Sequence, residues 1–250
     1  MRLSNVAVFV LAILAVPAIL IALGLGLLMA EKLKLGWVEV PVHYRFTYGV
    51  EVGGIAYEGS TVTRVTYTHI PQWQMVNGPG IGGDTEGQAS CVKIPDGRMT
   101  CLLPDTSDWG DGKHYYPGID GLAPRLLSVD GSPTGPRKEF IPIYASNAAT
   151  VSGSSEIPTN LLPPIIVLND PSDPSSAHLF DPEHPERTLG PGARFLGARI
   201  AVTNEPVSRG IETMLPWLVR SKSSPEKLND PGDPFLRGPP GQALYKQFFY

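Results

Sequence analysis

Cysteine is nearly missing from this chain: two in 250 residues, too few for the multiply bridged framework of a small secreted fold or for a four-cysteine metal site. Lysine and arginine form no cluster or stripe, and the net charge is −4. An electrostatic footprint for nucleic acid is therefore excluded, and no polybasic patch follows the leading apolar run. Catalytic signatures are also lacking. No Gly-x-Ser-x-Gly elbow occurs, so Ser154, Ser155, His114 and Asp111 have no motif to unite them as nucleophile, base and orienting group. The glycine-rich stretch 78–83 is not followed by Lys-Ser/Thr and reads as a flexible loop, not a phosphate cradle. No cofactor is implied.

What the chain does have is one long hydrophobic run. Residues 6–30 carry no charged or hydrogen-bonding side chain; as a helix they would reach about 37 Å, against a bilayer core of about 30 Å. A cleaved export signal has a shorter apolar region and small residues at the cut, whereas Leu28-Met29-Ala30 puts a bulky residue at the junction. The reading is an uncleaved single-pass anchor behind a short flank, 1–5. Flanking charge leaves orientation open, with Arg2 before the span and Lys32 and Lys34 after it. The cysteine pair favours an oxidising compartment, which places the body outside the cytoplasm. Ala18, Ala22, Gly26 and Ala30 recur every four residues, a stripe on which a second helix could close to form a homodimer; the alternative is that the stripe faces lipid.

The remaining 220 or so residues are enough for one domain with a real core. Glycine (27) and proline (26) make up about a fifth of the chain, which suits short strands joined by many turns. From Val38 to Val52 every even position is apolar, while Glu39, His43, Arg45, Thr47 and Glu51 take the other side. That alternation predicts a strand with one dry and one wet face. Gly53-Gly54 supplies a two-residue turn, so Val52 pairs with Ile55, Val50 with Tyr57, Phe46 with Thr61, Val42 with Val65 and Val40 with Tyr67. A second hairpin turns at Pro95-Asp96-Gly97, flanked by Ile94 and Arg98. Counting outward sets Lys93 against Met99, Val92 against Thr100 and Cys91 against Cys101, with α-carbons about 4.5 Å apart in a non-hydrogen-bonded pair, within disulfide reach. A reduced pair that only packs is the alternative.

Further strands are expected at 140–145, 165–168 and 195–203, the last with Leu196, Ala198, Ile200 and Val202 inward. Residues 208–214 can form one or two helical turns between Pro206 and Pro216. Residues 221–250 read as a mostly irregular tail whose last eight residues are apolar enough to dock on the body.

The segment 50–65, the stretch from Gly87-Gln-Ala to Leu103, Leu168-Asn-Asp-Pro-Ser-Asp-Pro, Leu189-Gly-Pro-Gly, Thr203-Asn-Glu-Pro-Val-Ser-Arg-Gly-Ile-Glu and Leu215-Pro-Trp-Leu218 together resemble an uncharacterised family of bacterial exported or membrane-anchored proteins. The resemblance covers most of 37–218 and implies a single exported domain, with no activity attached. In that family the two cysteine positions are generally apolar, which argues against an essential thiol.

Asp170, Asp173, His178, Asp181, Glu183 and His184 fall within fifteen residues and offer oxygen and imidazole ligands for a cation. Yet each of the three aspartates precedes proline, the pattern of a turn-capping carboxylate on an extended chain. The same Leu-Asn-Asp-Pro-x-Asp-Pro pattern returns at 228–234 without histidine. Trp217, within Leu215-Pro-Trp-Leu218 and after Ile211 and Met214, is read as a core plug or as a docking anchor for a partner.

The expected protein is mostly β: one N-terminal transmembrane helix (6–30), an antiparallel β-sandwich-like extracytoplasmic domain (31–220) with long Gly/Pro-rich loops, and the tail (221–250). It sits in a bacterial inner membrane with its body in the periplasm. Its expected role is that of a non-catalytic structural or interaction module whose partners are the lipid bilayer and a membrane or envelope protein. One alternative is a small-molecule or lipid binder with Tyr44, Tyr48, Tyr57 and Tyr67 lining a cavity. Another is a metal-dependent hydrolase built on the Asp/His cluster.

Overall fold

The computed structural model describes residues 37–69, 82–103, 119–137 and 141–218, together with Gly26, Met29 and Leu33. The expected anchor and the tail therefore lie outside the described residues, apart from those three positions. Among the described residues no helix is long and apolar enough to cross a membrane.

The body is mostly β, in two antiparallel sheets. Strands β1 (Val38–Val52) and β2 (Ile55–His69) form a long hairpin. Gly53 and Gly54, at φ +60° and +78°, provide the paired positive φ values of the tight turn. All five predicted pairs occur, from Val52–Ile55 to Val40–Tyr67. The register holds because a one-residue slip would turn Tyr44, Phe46, Tyr48 and Val50 from the core to water.

Strand β3 (Gly82–Glu86) adds to the far edge of β2. Gly82 and Gly83 thus belong to a strand instead of the expected loop: with β2's outer edge free, backbone pairing outweighs glycine's low strand preference. On the other side of β1 lies β9 (Arg194–Thr203), followed by the three-residue β6 (Ser154–Glu156). Within β9 the register shifts between Gly49 and Val50: Gly49 faces Gly197, but Val50 faces Phe195. Leu196 is the extra residue of this bulge, and Gly197 absorbs it at φ +106°. The expectation of an inward Leu196 is corrected accordingly. Leu196 is half exposed, and Phe195 packs against the core in its place, edge-on to Phe180 at 5.9 Å between ring centres.

The second sheet has the order β4-β5-β7-β8. Strands β4 (Ser90–Lys93) and β5 (Met99–Leu102) form the predicted hairpin, with Ile94 N donating to Arg98 O at 2.8 Å and Cys91 directly opposite Cys101. Strand β7 (Ile165–Leu168) lies where expected and is buried at every position. Strand β8 (Ala177–Leu179) forms the outer edge. Residues 165 and 167 face the first sheet, in one core with Tyr44, Phe46 and Tyr48. Residues 166 and 168 face the other way, toward Ile211, Leu215, Trp217 and Leu218. A sheet covered on both faces needs uninterrupted apolar strands, which is the reason for Ile-Ile-Val-Leu here.

Two further differences follow from proline. The expected strand at 140–145 is irregular over its described residues: Pro142 has no N–H to give a ladder, Ile141 N donates to Pro124 O, and Tyr144 N donates to Asn147 Oδ1 at 2.7 Å. Ile143 and Ala145 are nonetheless buried. Conversely, helix Ile119–Leu126 forms despite an internal Pro124, because Leu122, Ala123 and Leu126 bury one face.

Candidate functional site

An open groove of about 760 Å³ lies at the start of β7 and the end of β8. One wall is residues 159–165. Pro158, Pro163 and Pro164 restrict that segment around a single 3-10 turn, Thr159–Leu161. The other wall is residues 179–183, where Asp181-Pro182 turns the chain away from the sheet. Leu162, Ile165 and Phe180 are buried beneath the groove, whereas Leu179 is 43 % exposed on its rim.

One cation borders this trough, whose walls mix apolar residues with Thr159, Asn160, Asp181 and Glu183. Arg125, in the last turn of helix Ile119–Leu126, lines it, and its Nε is buried without a hydrogen-bond partner. No carboxylate among the described residues pairs with its guanidinium. Two other arginines place their Nη groups on backbone carbonyls, although Arg137 Nε is buried and unpartnered like that of Arg125. Arg137 gives hydrogen bonds to the carbonyls of Pro124 (2.9 Å), Pro133 (3.2 Å) and Leu127 and to Ser132 Oγ (2.5 Å), and burial lowers its pKa. Arg98 donates to Thr188 O (2.6 Å) and Leu189 O (2.9 Å), capping the short helix Glu186–Leu189. It also pairs with Asp96, holding that carboxyl below its ordinary pKa. Two acids share the groove with Arg125. Asp181 is already engaged, by Glu183 N (2.9 Å), His184 N (3.3 Å) and Arg187 Nη1 (3.4 Å); Glu183 is exposed. Sequence reasoning missed this groove: nothing in the spacing of Arg125, residues 159–165 and residues 179–183 announces that they meet.

The candidate cation ligands are placed as follows. Asp170 Oδ1 accepts from Ser172 N (2.8 Å) and Ser172 Oγ (2.7 Å), which lowers its pKa. Asp173 Oδ1 accepts from Ser175 N (2.8 Å) and Oγ (2.7 Å) in the same way. With Asp181 these make three Asp-Pro turns, each closed by its own carboxylate. His178 is exposed on β8 opposite Val167, and His184 Nδ1 lies 3.6 Å from Glu186. Among the described residues no three His, Cys, Asp or Glu gather as a metal site.

Cys91 and Cys101 stand at disulfide distance, with sulfurs 2.01 Å and α-carbons 4.1 Å apart. Trp217 is buried and donates from Nε1 to Pro171 O at 3.1 Å, the position of a core plug. Tyr44, Tyr48 and Tyr67 are buried instead of lining this groove. The Tyr44 and Tyr67 hydroxyls bond each other at 2.8 Å, and Tyr48 bridges the sheets by donating to Thr100 O at 2.7 Å, with Thr100 Oγ1 also at 2.9 Å. Burial raises the pKa of Tyr44 and Tyr48; Tyr57 is partly buried against the same core. Ser154 and Ser155 lie on β6, while His114 and Asp111 lie outside the described residues. So do Ala18, Ala22 and Ala30 of the small-residue stripe, and the repeated turn motif at 228–234; Gly26 is described with helical backbone.

No family model, no curated protein and no solved structure matches this chain.

Proposed function

We propose that this chain is a non-catalytic interaction module whose sandwich-like body is held at a membrane by residues 6–30 and recruits a protein partner through the groove beside β8. The observation that carries this reading is the groove itself. An open, part-apolar trough whose guanidinium is paired with no carboxylate among the described residues offers burial and orientation to a partner. Anchoring adds to this by raising the effective concentration of any partner that shares the membrane. The resemblance to bacterial exported proteins and an oxidised Cys91–Cys101 pair favour a periplasmic body on an inner-membrane anchor.

Mild-detergent extraction and native sizing test the reading. The full chain should migrate as a complex larger than itself, and Leu179→Glu should release it. Identical migration of both proteins as lone chains overturns the reading. A fusion reporter after Tyr250 that works only in the cytoplasm overturns the topology.

A second reading, a small-molecule binder, draws on the groove's volume of about 760 Å³, within the range usual for ligand sites. Its sign would be a small molecule that co-purifies with the wild type and is lost from Leu179→Glu.

A further inference from the structure

We propose that the groove takes an extended, apolar polypeptide segment bearing one carboxylate, with Arg125 as the anion anchor; this rests on the interaction-module reading above. The argument begins with the guanidinium. An arginine carries five N–H donors in a fixed fork, and leaving a buried donor unpaired is unfavourable. Arg98 and Arg137, on the same body, direct their Nη groups to backbone carbonyls, although Arg137 Nε is buried and unpartnered like that of Arg125. Arg125 has a buried, unpartnered Nε and lines the open groove of about 760 Å³. The partner that best relieves it is a carboxylate, whose two oxygens match the fork and bring the opposite charge.

The surroundings select the rest of the ligand. The trough is lined mainly by leucine, proline, isoleucine and phenylalanine, so the groups flanking the carboxylate must be apolar to gain by burial. The trough is also open along one side. An acyl chain would leave much of its length in water there, whereas an extended peptide buries alternate side chains and keeps its other face wet. One wall ends at β8, the outer strand of its sheet, where a docking segment can add main-chain hydrogen bonds. Neither of the groove's own acids forms an ion pair with Arg125: Asp181 accepts from its turn and from Arg187, and Glu183 is exposed to solvent.

The test is selection of a random heptapeptide library, displayed on phage, against the full chain in detergent micelles. Selected clones are then rescreened on Arg125→Gln and Leu179→Glu. Arg125→Gln breaks no side-chain hydrogen bond or ion pair among the described residues and Leu179 is on the rim, so both variants should keep the wild-type thermal midpoint, which is checked first. The proposal predicts enrichment of clones with one Asp or Glu among apolar residues. Those clones should bind at least tenfold more weakly to either variant, and their Glu→Gln versions should no longer distinguish wild type from Arg125→Gln. Clones that need Leu179 but ignore Arg125 and carry no acid overturn the carboxylate anchor while leaving the groove as an interaction site. No clone sensitive to either variant overturns both. Sodium palmitate that raises the midpoint of the wild type and not of Arg125→Gln, with no peptide enriched, places an amphiphile in the groove and overturns the peptide.

Discussion

The two sheets solve the same problem with opposite sequences. Strand β1 alternates inward apolar residues with polar or small outward ones, and β2 continues the pattern at Tyr57, Val65 and Tyr67, because most of the outer face is wet. That face carries paired charges such as Arg45–Glu205 and Arg64–Glu86–Arg209. Strands β5 and β7 are four residues each and buried throughout. They are dry on both sides because the segment ending in Leu215-Pro-Trp-Leu218 covers the face that the first sheet leaves open. The difference teaches that the long hairpin is specified largely by its own pattern, while the short strands depend on what covers them.

The covering segment should therefore be the most sensitive part of the body. Trp217→Ala removes a buried indole from the outer face of the second sheet and strands the Pro171 carbonyl. It should cost about 4 kcal/mol, read by denaturant unfolding. A change on the first sheet's wet face, such as Thr47→Ala at a half-buried position, should stay within about 0.5 kcal/mol; equal costs would erase the contrast. Reduction of the cysteine pair ranks next, at about 3 kcal/mol by chain entropy. Comparing unfolding with and without reductant measures it.

Alkaline pH probes the layer between the sheets. Burial raises the pKa of Tyr44 and Tyr48 above the unfolded value of 10.0, so the native state holds their protons longer. Their contribution is complete below pH 10 and is lost as pH rises beyond it, at up to about 1.4 kcal/mol per pH unit for each tyrosine. Flat stability between pH 10 and 11 would contradict their burial. Tyr48→Phe breaks the bridge to Thr100 and should cost about 1 kcal/mol. Arg125→Gln should be smallest of all in stability, near zero, because it breaks no side-chain hydrogen bond or ion pair among the described residues.

How far each region could be read from sequence follows the same contrast. The registers of both hairpins follow from Gly53-Gly54, from Pro95-Asp96-Gly97 and from alternation, all local signals. The Asp-Pro turns were legible for the same reason: each carboxylate caps its own neighbours. Leu196 was misread because a bulge is set by the partner strand, here at Gly49, where a Cβ would come within 3.1 Å of Leu196 Cβ. The strand expected at 140–145 ignored Pro142, and β6 and β8, three residues each, are too short for periodicity to register. The groove was invisible because its cation and its two walls come from three separate segments and meet only after folding.

Site-specific photocrosslinking in intact membranes tests the central claim most directly, with the photoreactive side chain placed at Leu179 on the groove rim or at Thr47 on the wet face of the first sheet. The account predicts a discrete protein adduct from position 179, lost on Arg125→Gln, and none from position 47. Adducts from position 47 alone, or an adduct from position 179 that is indifferent to Arg125, would contradict it.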